Sequence, residues 1–292
     1  MVRLKGDLWL VAGRRGGRYP HCNSLLIDSG ERALIDPGSN KKVLRSLARD
    51  GVGTVFLSHF HSDHVRELKE FPGSSAMIHK IEEPAMQGWQ GMAPLVWFPE
   101  EERDATWIKR KDREVGGWGW PVSGTFTGGE KMAVGDVEME IIHTPGHTPG
   151  HCCFWFPNEK VLFSADVDIT DFGPWYGNAA SSVDDFVESI EKLKNYDPET
   201  TVTGHEAGVI DGEIAHWLDT YSHEIDARHQ RILDFLTGPR TLEEVTEKGF
   251  IYGDHFSRSF YQPEWRMARH HLEMAVKKGE AEKTEEGKYK TS

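Results

Sequence analysis

The chain has 292 residues, 28% of them charged and 38% hydrophobic, with a formal net charge of -13, so it can bury a sizeable core as one large domain or one domain with a small appendage. The acid excess weighs against a phosphate-binding nucleic-acid protein and against attachment to anionic membranes, and no apolar run approaches the roughly 20 residues of a membrane span. Met1 to Gly16 lacks the apolar core of a secretory signal, and two of the three cysteines (Cys22, Cys152, Cys153) are sequence neighbours, so a reducing cytoplasm is the expected location.

In chain order, Leu8 to Val11 reads as a strand, and Asn23 to Asp28 with Arg32 to Asp36 as a hairpin about Ser29-Gly30-Glu31. Asp36-Pro37-Gly38 is turn chemistry, followed by a helix with Val43, Leu44 and Leu47 on one face. The apolar strand Thr54 to Leu57 runs into Ser58-His59-Phe60-His61-Ser62-Asp63-His64, and a short helix begins near His64. A strand over Ala76 to His79 and a helix over Ile81 to Gln87 follow. From Gly88 to Gly124 the pattern degrades into a segment rich in tryptophan, glycine and charge. It reads either as an insertion (88–124) burying its own aromatics or as a lid over an active site.

Short strands return at Lys131 to Val134, Val137 to Ile142, His151 to Phe156 and Lys160 to Ser164. Ser181 and Ser182 are candidate caps for a helix whose apolar face holds Val183, Phe186, Val187, Ile190 and Leu193. Thr200 to Thr203 leads into Gly204-His205. Beyond it, a long helix from Ile214 to Leu236, a capping box at Thr241 to Glu244, a helix starting near Glu264 and a hairpin about Glu286-Gly287 form a winged-helix-like tail. The expected division is a catalytic domain over 1–226 and a C-terminal domain over 227–292.

The cluster after Leu57 places three imidazoles and a carboxylate within six positions at a strand end, the signature of a metal site. His147, Asp166 and His205 lie at the ends of other predicted strands and can complete it. Imidazole and carboxylate suit zinc, iron or manganese, and no cysteine stands among them to argue for a thiolate site.

Taken together, His59-x-His61-x-Asp63-His64, Thr144-Pro145-Gly146-His147-Thr148, Asp166 and Gly204-His205 resemble the metallo-β-lactamase superfamily over roughly Leu8 to His205. The resemblance implies an α/β fold, a four-layer αββα sandwich, here with a C-terminal helical extension. It implies a binuclear metal centre, zinc foremost, with His59, His61 and His147 on one ion, Asp63, His64 and His205 on the other, and Asp166 bridging. Asp36 matches an aspartate that steadies ligand histidines from behind. The expected chemistry is attack by a metal-bridging hydroxide on a carbonyl or phosphorus, with Asp63 orienting it.

Asp166 with an intact Asp63-His64 pair is similar to hydroxyacylglutathione hydrolases, lactonases and nucleases of the superfamily. Its antibiotic-hydrolysing members typically carry cysteine at the Asp166 position, and its di-iron flavoprotein reductases carry glutamate at that of His61. The first expectation is a hydrolase of a small ester, thioester or lactone. The alternatives are a nuclease, a mononuclear-iron persulfide dioxygenase and a non-enzymatic DNA-binding regulator, the last disfavoured by charge. Trp175 and Tyr176, in the loop after Asp166, are candidates to line the substrate cleft. The partner is a small molecule, with a homodimer contact among the roles open to the tail.

Overall fold

The computed structural model describes residues 1–99, 101, 106, 108, 109, 113, 119, 120, 122–206 and 208–292. Two sheets face each other. The first runs in sequence order through β1 (Val2–Arg3), β2 (Leu8–Val11), β3 (Ser24–Ser29), β4 (Glu31–Ile35), β5 (Thr54–Phe56), β6 (Ser75–His79) and β7 (Gly124–Phe126). It is antiparallel up to β4 and parallel from β4 to β7. The second is ordered β13-β12-β11-β10-β9-β8, from β8 (Lys131–Val134), β9 (Val137–His143), β10 (Cys152–Phe156), β11 (Val161–Ala165), β12 (Thr200–Thr203) and β13 (Val209–Asp211).

Both strand faces are buried, and alternation divides them. Leu25, Ile27, Ala33, Ile35, Phe56, Phe154, Phe156, Phe163 and Ala165 point into the seam between the sheets. Leu26, Leu34 and Val55 point outward to helices over the first sheet, Cys153 and Leu162 to helices over the second. Helix, sheet, sheet and helix are therefore the four layers expected.

Over the first sheet lie α1 (Lys41–Asp50), α2 (Ser62–Val65), α3 (Glu83–Met86) and α4 (Trp89–Val96). Asn40 caps α1 by accepting from the Lys42 N–H, and Gly51 closes it at φ 91°. Helix α4 occupies a stretch read from sequence as irregular. Gly88, Gly91 and Pro94 disguised it, yet Met92, Ala93 and Val96 pack into the first sheet's outer core. Gly91 is required there, because a Cβ would stand 1.9 Å from the Pro84 carbonyl. The lid reading falls in part on residues outside those described.

Over the second sheet lie α5 (Val183–Leu193), α6 (Ala215–Phe235), α7 (Leu242–Thr246) and α8 (Tyr261–Lys278), with the hairpin of β14 (Ala281–Lys283) and β15 (Tyr289–Thr291). Ser182 caps α5, and the Thr241–Glu244 capping box is present. One apolar cluster joins Leu162 and Ile190 to Ile225, Ile232, Leu272 and Tyr289, so the core runs from the second sheet through the tail helices. No helix among the described residues is long and apolar enough to cross a membrane.

Phe154 is fully buried, and its ring meets those of Phe56 and Phe126 across the seam and that of Phe163 on the neighbouring strand. Replacing it with alanine should destabilise the protein by about 3–5 kcal/mol, read as a lower denaturation midpoint with an unchanged denaturant slope.

Candidate metal centre

At one end of the sheets the strand termini meet. The Cys152 N–H donates to the Ser58 carbonyl at 2.9 Å and the Asn23 N–H to the Gly204 carbonyl at 2.7 Å, stitching one sheet to the other. After β5 the chain bends at Ser58 and is extended again at His61, and His59 and His61 enter the same group. Helix α2 then starts, and its turn carries Asp63 and His64 to a neighbouring position.

Two groups result: His59, His61, His147 and Asp166, and Asp63, His64 and His205, each with one donor atom per residue within 4.8 Å of the others. His61 Nδ1 is 2.9 Å from His147 Nε2, which is 3.0 Å from Asp166 Oδ2. His59 Nε2 is 3.8 Å from the same oxygen. The other carboxylate oxygen, Oδ1, is 2.9 Å from His64 Nε2 and 3.4 Å from His205 Nε2. Asp63 Oδ2 is 3.4 Å from His205 Nε2. Asp166 thus turns one oxygen to each group.

Every imidazole is held from behind. His147 Nδ1–H donates to the Trp175 carbonyl at 2.8 Å and His205 Nδ1–H to the Gly17 carbonyl at 2.6 Å. A carbonyl only accepts, so both rings turn Nε2 rather than Nδ1 toward the site. His64 Nδ1–H donates to Asp36 Oδ2 at 2.8 Å. Ser58 gives its hydroxyl proton to that oxygen and receives His59 Nδ1–H at 2.9 Å. His61 Nε2 sits 2.8 Å from the Asn178 carboxamide.

These nitrogens converge on one carboxylate, and His59 Nε2 is buried with no hydrogen-bond partner among the described residues. Such an arrangement repels itself unless protons or a cation sit inside. Burial, reinforced by neighbouring imidazoles, holds His59 and His61 well below the ordinary range, in the neutral form a metal needs. Burial opposes charge at His64 and His205 too, but Asp166 outweighs it, lifting His64 well above that range and His205 to about 9. Burial would raise Asp166, and His64, His205 and His147 instead hold it well below the carboxylate range. The donor set fits divalent cations.

Several contributors carry no sequence pattern. Glu82, fully buried, accepts from Phe60 N–H at 2.7 Å, Gly150 N–H at 2.9 Å and the Thr148 hydroxyl. It ties the loop between His59 and His61 to the loop around His147, and burial pushes its carboxyl up to about 7. Ser181, read as a cap, donates to the His147 carbonyl at 2.8 Å. Burial pulls His151 down to about 3, and its Nε2 accepts the Asp166 N–H at 3.1 Å. Trp175 stands at the site, its ring 5.8 Å from that of His61 and 5.5 Å from that of His147. Tyr176 turns away from the cleft into the core, fully buried with its hydroxyl 2.7 Å from His271 Nε2.

Residues 18–205, more than half of the chain, match the sequence profile of the metallo-beta-lactamase superfamily. The chain belongs to that superfamily. It is 27% identical over 209 residues to a hydroxyacylglutathione hydrolase of Rhizobium etli, covering 70% of this chain and 69% of the relative. It is 26% identical over 207 residues to the acyl-coenzyme A thioesterase MBLAC2 of Gallus gallus, covering 65% of this chain and 66% of the relative. In structure it is similar to the metallo-beta-lactamase family protein TTHA1429 of Thermus thermophilus, with a TM-score of 0.76 at 21% identity. That likeness covers 98% of this chain and 99% of the other, so the fold including the tail is shared. This metallo-beta-lactamase-fold protein is an enzyme of the hydrolase class, and its histidine and aspartate groups are those of a divalent-metal site.

Two outcomes follow from the geometry. Glu82→Gln keeps one accepting oxygen but aims an N–H at a donor, so it should lower stability by about 1–3 kcal/mol and loosen both ligand loops, measured by thermal unfolding and chelator competition. In the metal-free protein a cation entering the Asp63–His64–His205 group must displace the protons on His64 and His205. Apparent affinity should rise about tenfold per pH unit for each proton displaced, levelling only above the His205 value of about 9. Calorimetry in buffers of different ionisation enthalpy counts those protons, and pH-independent binding would contradict the arrangement.

Proposed function

We propose that this protein is a two-zinc hydrolase of small esters, thioesters or lactones. In this reading His59, His61 and His147 hold one ion, Asp63, His64 and His205 the other, and Asp166 lies between them. The observation that carries it is the set of imidazole nitrogens, each ring fixed from behind, converging on the two oxygens of one buried carboxylate. Bound there, the ions would supply the Lewis acidity that ionises water near neutral pH and draws off charge gathering on an acyl oxygen. The protein's own part is orientation. Asp63, buried beside His205, is placed to hold water by accepting its proton, and Trp175 shields one flank.

The substrate class is narrowed by a loop. Between β2 and β3, Arg14, Arg15 and Arg18 are exposed around Gly17, whose carbonyl holds His205. Arg18 pairs with Glu206 at 3.3 Å, while Arg14 and Arg15 make no ion pair among the described residues. Arg15 and Arg18 lie within two residues of Gly17, so their α-carbons are at most about 8 Å from it. In a chain of net charge -13, the unpaired guanidinium of Arg15 beside the residue that holds His205 favours an acyl substrate with a carboxylate or phosphate. The names of the two relatives, a hydroxyacylglutathione hydrolase and an acyl-coenzyme A thioesterase, agree with that.

The nuclease alternative would use the basic groups of α8. Of these, Arg266 makes a 2.7 Å pair with Glu101, Arg269 a 2.7 Å pair with Glu273 and Lys277 a 2.6 Å pair with Asp184, which leaves Lys278 without an ion pair among the described residues. Charges committed to the protein's own carboxylates are poor phosphate contacts.

The decisive experiment is turnover of a panel of esters, thioesters, lactones and RNA by protein of measured metal content. Asp63→Ala should lower turnover by about 100- to 10,000-fold in protein still folded, and unchanged turnover would refute the assignment. Replacing Arg14 and Arg15 together by alanine should raise KM about two- to thirtyfold for thioesters with an anionic carrier and leave that for neutral esters unchanged.

A further inference from the structure

The strap from Phe172 to Asn178 does two things at once. On its inner side the Trp175 carbonyl fixes His147 Nδ1 and the Asn178 side chain meets His61 Nε2, each at 2.8 Å. It therefore sets the orientation of two of the three histidines in one group. On its outer side it is gripped by the C-terminal helices. Arg228 of α6, fully buried, donates to the Pro174 carbonyl at 2.6 Å and to the Phe172 carbonyl, and its guanidinium lies 4.6 Å from the Phe172 ring centre. Trp175 Nε1–H donates to the Tyr252 hydroxyl at 3.1 Å. The Tyr176 hydroxyl meets His271 at 2.7 Å, and His270 Nε2–H donates to the Asn178 carbonyl at 2.7 Å. Arg266 reaches the Gly177 carbonyl at 3.4 Å while bound to Glu101.

A buried guanidinium is expensive to maintain for packing alone. The nearest carboxylate oxygen to Arg228, on Glu224, is 3.5 Å away from its Nε, and the short contacts it makes are to strap carbonyls. The strap holds little regular structure of its own, so its shape is set by these outside partners. Gly173 allows the approach, since a Cβ there would stand 2.7 Å from Glu224 Cγ.

We infer that Arg228 and His270 are positioning residues of the metal centre, acting through the strap on His147 and His61, so that the C-terminal helices complete one of the two metal groups. The inference rests on the proposed metal reading. It gives the tail a role in the hydrolase distinct from contact with substrate. It also makes the coupling reciprocal: whatever factor the tail contacts add to metal affinity, bound metal returns to tail docking.

The test is zinc affinity of the full-length protein, measured by competition with a chromophoric chelator, with thermal unfolding of the metal-free chain alongside. Wild type should bind zinc in two steps. His270→Leu should weaken one step about 10- to 100-fold, leave the other within twofold, and shift metal-free unfolding only slightly. His270→Gln, which restores an N–H for the Asn178 carbonyl, should recover most of the loss. Arg228→Met should weaken the same step further, and if that variant does not fold the His270 pair decides. In wild type, zinc should also slow hydrogen exchange in residues 173–178 and in α8. Equal weakening of both steps, no weakening, or failure of glutamine to rescue would overturn the inference. Wild type that binds no zinc would instead overturn the metal reading beneath it.

Discussion

The centre depends first on one buried carboxylate that touches neither candidate metal position. Asp36 is wholly buried, and a carboxylate there is tolerated only if its lone pairs are filled. Oδ1 takes the Ser58 N–H at 2.7 Å; Oδ2 takes the Ser58 hydroxyl at 2.6 Å and His64 Nδ1–H at 2.8 Å. Through Ser58 it also reaches His59. One side chain thus sets the tautomer of a histidine in each group, and both rings present Nε2 because of it. Its own position follows from the sheet. β4 and β5 are parallel neighbours, so the residue just past β4 lies beside the residue two past β5. Asp36 adopts φ 55°, a conformation aspartate tolerates better than most. Gly38 then passes so close to the Asp63 carbonyl that a Cβ would stand 1.7 Å from it.

The two sheets contribute unequally. The first supplies His59, His61, Asp63 and His64 from a single strand end, using a switch from extended chain to helix to aim them in two directions. The second supplies His147, Asp166 and His205 from three separate loops. The first set can tolerate little independent motion, because its members share one backbone segment. The second needs cross-ties, and the structure provides them: Glu82 from one sheet to the His147 loop, His151 to Asp166, the Gly17 carbonyl to His205, and the strap to His147.

This division explains what could be read from the chain alone. The clustered histidines, the Asp36-Pro37-Gly38 turn and the alternating strands are local patterns, and they carried the fold and the seven residues that converge. The long helix and capping box of the tail are equally local. The partners behind the ligands are not. Trp175 and Gly17 act through carbonyls that every residue possesses, and Glu82 is one glutamate among many until folding brings three donors to it. Helix α4 was hidden because Gly91 is there for close approach rather than for a turn, and because Pro94 lies inside the helix instead of ending it. Tyr176 sits beside Trp175 in sequence but on the opposite side of the strap, and which of the two faces the cleft is decided by His271, 95 residues away.

A site built this way carries strain of an electrostatic kind. Without a cation, Asp166 Oδ1 relies on protons on His64 and His205, and those lie on nitrogens that face one another at 3.2 Å. Two charged imidazoles at that distance repel, so the proton solution is poorer than the cation solution. The fold forces this choice because the other ring nitrogens are already committed, to Asp36 and to the Gly17 carbonyl. Rotating either ring away would break a buried hydrogen bond and leave its partner unpaired. The hydrogen bonds behind the site thus act on the chemistry in front of it. They close off the alternative arrangements in which the imidazoles would find protein partners, and a divalent cation is the occupant that satisfies every atom left facing inward.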